Sequence, residues 1–166
     1  MILNNIHNRE LYSTLLRLSR NSFFYKNISL PDSFETRIYL MFIHFSLILI
    51  IFKAKKIKFD QKEYDYLFYN IEYNLRELGF GDVTVNKKMK DLNKVLYDIL
   101  LKIEIKNKKD FTLQINHTLI CKYFPSLSEQ KSSKYTDFET YFLDFYNFCF
   151  EIPVKNMIRD IINKYK

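Results

Sequence analysis

The side chains best suited to chemistry in this chain are three histidines and two cysteines, and their spacing assembles no site. His7, His44 and His117 stand far apart, and none is four residues from another histidine. Cys121 and Cys149 lack the C-x-x-C spacing of a zinc or dithiol site, so no metal centre is expected. Both sit within apolar runs, which predicts buried free thiols in a reducing compartment. Ser19, Ser46 and Cys121 have no evident base nearby. The only glycines, Gly79 and Gly81, form "GFG" with no third glycine and no preceding strand, which is not a dinucleotide fingerprint. There is no phosphate-binding loop and no G-x-S-x-G, so the chain does not read as an enzyme and no cofactor is expected.

What the chain does carry is charge beside a turn. "LRELGFGDVTVNKKMK", residues 75–90, places Arg76 and Glu77 before the glycines, with Asp82 and then Lys87, Lys88 and Lys90 beyond them. A leucine stripe ends at Leu78. Gly79 therefore reads as the left-handed residue that closes a helix, Phe80 as the apolar residue packing back on it, and Gly81 as a second turning point. Asp82 or Thr84 would cap the next helix. Charges around a tight exposed corner are a common form of docking site.

The elements that would hold this corner read as helices nearly throughout. With two Gly and three Pro in 166 residues, the turn punctuation of a β protein is missing, and 48% apolar residues suffice for a core. The expected fold is all-α: one domain over 1–166, of about six to seven helices. Leu11, Leu15 and Leu18 mark a first helix over 9–26. Asp32 with Glu35 three residues later matches a capping box and starts a second helix running to about Lys53. Its stretch 38–52 is uncharged, but at about 1.5 Å per residue it spans roughly 22 Å, short of a ~30 Å hydrocarbon core. It reads as a buried central helix with His44 as a hydrogen-bonded core residue; a membrane anchor is the alternative.

Further stripes predict helices over 62–78 and 84–104, a polar break at 106–110, and a less regular helix near 111–123. A Ser/Lys-rich loop over 125–136 follows. A helix capped by Thr136 and Glu139 comes next, then a short last helix opened by Pro153. The N-terminus shows neither the pattern of an export signal nor that of a transit peptide, so the protein is expected to work where it is made.

The formal charge of +7 and three lysine clusters, 53–58, 87–90 and 106–109, suit an acidic partner such as a ribosome or anionic headgroups. No motif for specific nucleic-acid binding is present, though a basic ribosome- or RNA-binding protein remains an alternative on charge alone.

Two blocks carry a resemblance. "NLRELGFGDVTV" resembles the "LREMGVGD-x-x-V" signature of the ubiquinol–cytochrome c chaperone family. "SRNSFFYKNISLPDSFETRIYLMFIH" resembles that family's "AR-x-x-x-FY…VPDT-x-x-GRF…LH" pattern. The matching positions include Arg20, Tyr25, Pro31, Asp32, Arg37, His44, Arg76, Glu77, Gly79, Gly81 and Asp82. Ser33 stands where the family has Thr, and Thr36 where it usually has Gly. The resemblance covers about 11–120 and leaves 125–166 unmatched.

The resemblance implies a helical, non-enzymatic assembly factor for the cytochrome bc1 complex, respiratory complex III. Newly made cytochrome b is the implied client. The ribosome, an anionic membrane surface and a small partner subunit are candidate further contacts. The implied place is peripheral, on the inner face of the cytoplasmic membrane or the matrix face in a mitochondrion. Candidate partner-binding residues are Asp32, Arg37, Arg76, Glu77, Asp82, Lys87, Lys88 and Lys90, with Gly79 and Gly81 as the structural turn. Arg37 has Glu35 and Glu77 as candidate ion-pair partners.

Overall fold

The computed structural model describes residues 2–107 and 112–166. Its centre is α3, Phe34–Ala54, in which every residue from Leu40 to Ile48 is buried. A helix apolar on all sides must be covered on all sides. α1, Ile2–Ser19, packs on it, as do α5, Asp82–Leu101, and α7, Ser133–Glu151. α4, Gln61–Glu77, closes the layer by packing on α1 and α5. By length and composition α3 could cross a membrane, and it is the one such helix among the described residues. Its burial inside the protein marks it as a core helix.

The two glycines sit in the α4–α5 corner as the sequence implies for one of them. Gly79 has φ +92°, its N–H donates to Arg76 O, and Phe80 N–H donates to Leu75 O, the paired bonds of a Schellman cap. α3 ends in the same way with Lys56 at φ +56°. The difference is informative: 56° lies in the left-handed well that L-residues can enter, whereas 92° lies beyond it. Gly81 has φ −73°, open to any residue, and it starts α5 without a side-chain cap. Neither Asp82 nor Thr84 caps that helix; Asp82 is its first residue.

Three boundaries differ from the expectation for local reasons. The first helix breaks at Arg20, and Asn21 caps a five-residue α2, Ser22–Lys26, by accepting from Phe23 N–H at 3.0 Å. Ser33, not Asp32, caps α3: its backbone is extended and its Oγ accepts from Thr36 N–H at 3.1 Å. Ser132, not Thr136, caps α7 by accepting from Tyr135 N–H at 3.2 Å.

The larger difference lies between α5 and α7. The expected helix to 104 stops at Leu101, and two antiparallel strands follow, β1, Ile103–Asn107, and β2, Thr112–Ile115. Ile103 pairs with Ile115, both buried, while Glu104 pairs with Gln114 toward solvent. This period-two alternation outweighs the four-residue spacing of Ile99 and Ile103. The last lysines of the 106–109 cluster, Lys108 and Lys109, and Asp110 of the polar break lie outside the described residues. α6, His117–Tyr123, then leads through a short 3₁₀ turn to α7.

Asp98 ties this region together. Its carboxylate accepts from Lys102 and Lys122, each at 2.7 Å, and from the Tyr123 hydroxyl at 2.6 Å, joining α5 to α6. Those bonds, Lys102 first, hold its carboxyl well below the usual range.

The C-terminal fifth, α7 with α8, Met157–Lys164, belongs to the same core. Phe138, Phe142 and Phe145 of α7 are fully buried, and the edges of Phe142 and Phe145 meet the His44 ring at 4.9 and 4.8 Å. Tyr141 gives His44 its hydrogen bond. His44 is therefore a satisfied core residue: Nδ1–H donates to Leu40 O at 2.7 Å and Nε2 accepts from Tyr141 at 3.0 Å.

Candidate functional site

The two sequence blocks come from different helices and meet at one groove. Arg20 follows the last turn of α1. Ile38, Met41 and Arg37 lie on the first two turns of α3. Asn74, Glu77 and Leu78 lie at the end of α4. Together with Tyr12, Leu16 and Phe34 they enclose about 240 Å³. The spacing explains the convergence: Asn74, Glu77 and Leu78 are three and four residues apart and so share a helix face, as do Tyr12 and Leu16. The Asn74 side-chain N–H donates to the Tyr12 hydroxyl, closing the end between α1 and α4.

The groove has an apolar floor and a charged mouth. Arg37 donates through Nε and Nη2 to one oxygen of Asp32, at 2.8 and 2.6 Å. That pairing corrects the expected Glu35 or Glu77 partners. It also explains why Ser33 takes the capping role, since the Asp32 carboxylate is turned to Arg37. Among the described residues, neither Arg20 nor Glu77 has an ion-pair partner. Both act electrostatically on the Tyr12 phenol between them, whose pKa is raised, chiefly by burial. A groove of this kind accepts an apolar segment bearing polar or charged groups at its ends.

The corner continues the groove outward, because Leu78 belongs to both. Leu78 is 60% exposed and Val83 85%, with Phe80 beside them. The expected packing of Phe80 back onto the helix end is corrected: its ring is exposed, and the Lys88 ammonium lies 4.7 Å from its centre. Arg76 donates to Glu72 at 2.9 Å and also to Asp82, bracing α4 to α5 across the turn. These two carboxylates hold its pKa up. Lys87 and Lys90 project into solvent from α5.

Of the residues singled out in the sequence, Arg37 and Glu77 thus line one groove. Asp32 serves Arg37, Arg76 and Asp82 are given to each other, Lys88 lies against the Phe80 ring, and Lys87 and Lys90 are exposed. The family model for the ubiquinol-cytochrome C chaperone matches residues 26–114, more than half of the chain. The chain belongs to the ubiquinol-cytochrome C chaperone family. No curated protein and no solved structure matches it. The family segment spans α3, α4 and α5 and therefore contains the α3 and α4 walls of the groove and the whole corner. Membership in this chaperone family points to a client protein in complex III assembly and to a non-enzymatic role.

Sequence reasoning passed over Arg20, Tyr12 and Asn74 as site residues. Arg20 belongs to the matched block, but nothing local tells that it shares a groove with Glu77.

Another pair was also passed over. Cys121 Sγ lies 3.4 Å from His117 Nε2, so the thiol has a base one turn away on α6. It is only partly buried, unlike Cys149. The expectation of two buried cysteines with no base near Cys121 is corrected on both counts.

Proposed function

We propose that this chaperone acts in assembly of the cytochrome bc1 complex by holding a segment of newly made cytochrome b in the α1–α3–α4 groove, with the α4–α5 corner as the adjoining contact. The observation that carries the reading is the meeting of both family blocks at that groove. Cytochrome b is a multi-span membrane protein, so before assembly it offers apolar segments with charged or polar ends. The groove's apolar floor and its unpaired Arg20 and Glu77 complement such a segment.

Gly81 supports the corner's part. Its backbone conformation does not require glycine, and a Cβ there would meet nothing within 4 Å. A glycine that the fold does not need leaves room for a partner's backbone to come close. Exposed Leu78 and Val83 beside Lys87 and Lys90 suit a partner at a membrane surface. We place the protein peripherally at the inner face of the cytoplasmic membrane, or the matrix face. Lysines there and at 53–58 would face headgroups or the ribosome, and a small partner subunit would share the corner.

The test is affinity purification of the tagged chain from cells making the complex. Cytochrome b peptides should be enriched, and Arg20→Ala with Glu77→Ala should lose them. Recovery of ribosomal RNA without cytochrome b would instead favour a basic ribosome-binding protein.

A further inference from the structure

α6 and α7 face each other with two pairs of reactive side chains, each pair one helical turn apart. His117 and Cys121 lie on α6, and Tyr135 and Glu139 on α7. Cys121 Sγ is within 3.4 Å of His117 Nε2. The Tyr135 ring meets the imidazole at 5.2 Å. Tyr135 is 1% exposed, and burial first, then the neighbouring Glu139 and Cys121, push its phenol up to about 12. Burial raises the Glu139 pKa, against the pull of the Tyr135 hydroxyl and His117 beside it. His117 also lines a polar cavity of about 220 Å³ with Lys102, Glu104, Gln114 and Asn116. A partly exposed thiol and a base thus stand side by side next to a polar cavity. None of these residues touches the groove, and α6 and α7 lie beyond the family-matched segment.

We propose that Cys121 is a reactive thiol, activated by His117, that exchanges with low-molecular-weight disulfides reaching its partly exposed sulfur from solvent. His117 takes the Cys121 S–H proton, and the thiolate attacks one sulfur of the disulfide. The old S–S bond breaks as the Cys121–sulfur bond forms. The leaving thiolate recovers the proton from His117. One thiol and one disulfide thus become one mixed disulfide and one released thiol; the Cys121 sulfur is oxidised and the released sulfur reduced. The charged groups facing the pair are Glu139 on α7 and, around the cavity, Glu104 and Lys102, the last held by Asp98.

Cys149 supplies an internal control. It is fully buried in α7, and burial pushes its thiol up to about 12. The folded full-length chain is incubated with oxidised glutathione near pH 7 and followed by intact-mass spectrometry with peptide mapping. One adduct is expected, on Cys121 and not on Cys149, forming faster than on the same chain unfolded in urea. His117→Gln should slow it about tenfold or more near pH 7, and by less near pH 9, where thiols ionise unaided. Cys121→Ser should abolish it. A Cys121 that reacts no faster folded than unfolded would overturn the proposal without recourse to any variant, and so would a folded His117→Gln chain that reacts at the parent's rate.

Discussion

The Tyr141 hydroxyl of α7 donates to His44 Nε2 of α3 at 3.0 Å, fixing the imidazole as neutral with its proton on Nδ1. Burial lowers the His44 pKa from its ordinary 6.5 to about 4. Below pH 6.5 the unfolded chain therefore binds a proton that the folded chain refuses, and stability falls as pH drops toward 4. His44→Gln can keep the bond to Tyr141 but has no proton to bind. The parent should lose about 2–3 kcal/mol more than this variant between pH 7 and pH 4. Urea unfolding at several pH values measures the difference, and parallel curves would count against the assignment.

Asp98 acts in a different window. Its folded pKa is depressed, so its contribution is complete above the unfolded value near 4 and is lost as pH falls below it. Asp98→Asn should cost about 1–2 kcal/mol at neutral pH through weakened bonds to Lys102, Lys122 and Tyr123. The gap between parent and variant should hold at pH 5 and narrow below pH 4.

At the corner the two glycines should behave oppositely. Gly79→Val forces a β-branched residue to φ +92° and should cost about 1–3 kcal/mol, by strain alone because the site is sterically open. Gly81→Ser gives α5 the cap it lacks and should be neutral or stabilising by a few tenths, about 0.3 kcal/mol. Denaturant midpoints at constant slope would show this. If Gly81→Ser keeps the fold yet lowers the level of assembled bc1 complex, that glycine serves a contact rather than the turn.

The α5 lysines, exposed Lys87 and half-buried Lys88, offer a separate handle. Lys87→Ala with Lys88→Ala should leave the melting temperature nearly unchanged, and should weaken association with ribosomes or anionic vesicles. Pelleting across ionic strength checks it; binding that ignores both salt and the substitutions would remove these charges from the account.

The long elements were legible because their signals are local. The stripe ending at Leu78 and the glycine after it gave the end of α4, and the uncharged run 38–52 gave the buried α3. What failed was competition between neighbours and contact over distance. Asp32 and Ser33 can both cap; only the pull of Arg37 on Asp32 decides between them. Ile99 and Ile103 fit one helix face as well as Ile103 and Ile115 fit a hairpin, and the strand pairing won. His117 and Cys121 are one turn apart, but the pair stands out only once α6 is seen to begin at His117. The groove was half legible: Arg37 and Glu77 came from the family blocks, whereas Arg20 became a site residue only when α1, α3 and α4 packed side by side.

The central claim is that the groove, not only the corner, holds the client. A photo-crosslinking residue placed at half-buried Leu16 in the groove wall tests it most directly, with the same residue at exposed Tyr97 of α5 as the control. In cells assembling the complex, the probe at Leu16 should crosslink to cytochrome b, the yield should fall when Arg20 and Glu77 are both replaced by alanine, and Tyr97 should give little. A folded protein that crosslinks to cytochrome b equally from both positions, or from neither while bc1 assembly proceeds, would contradict the account.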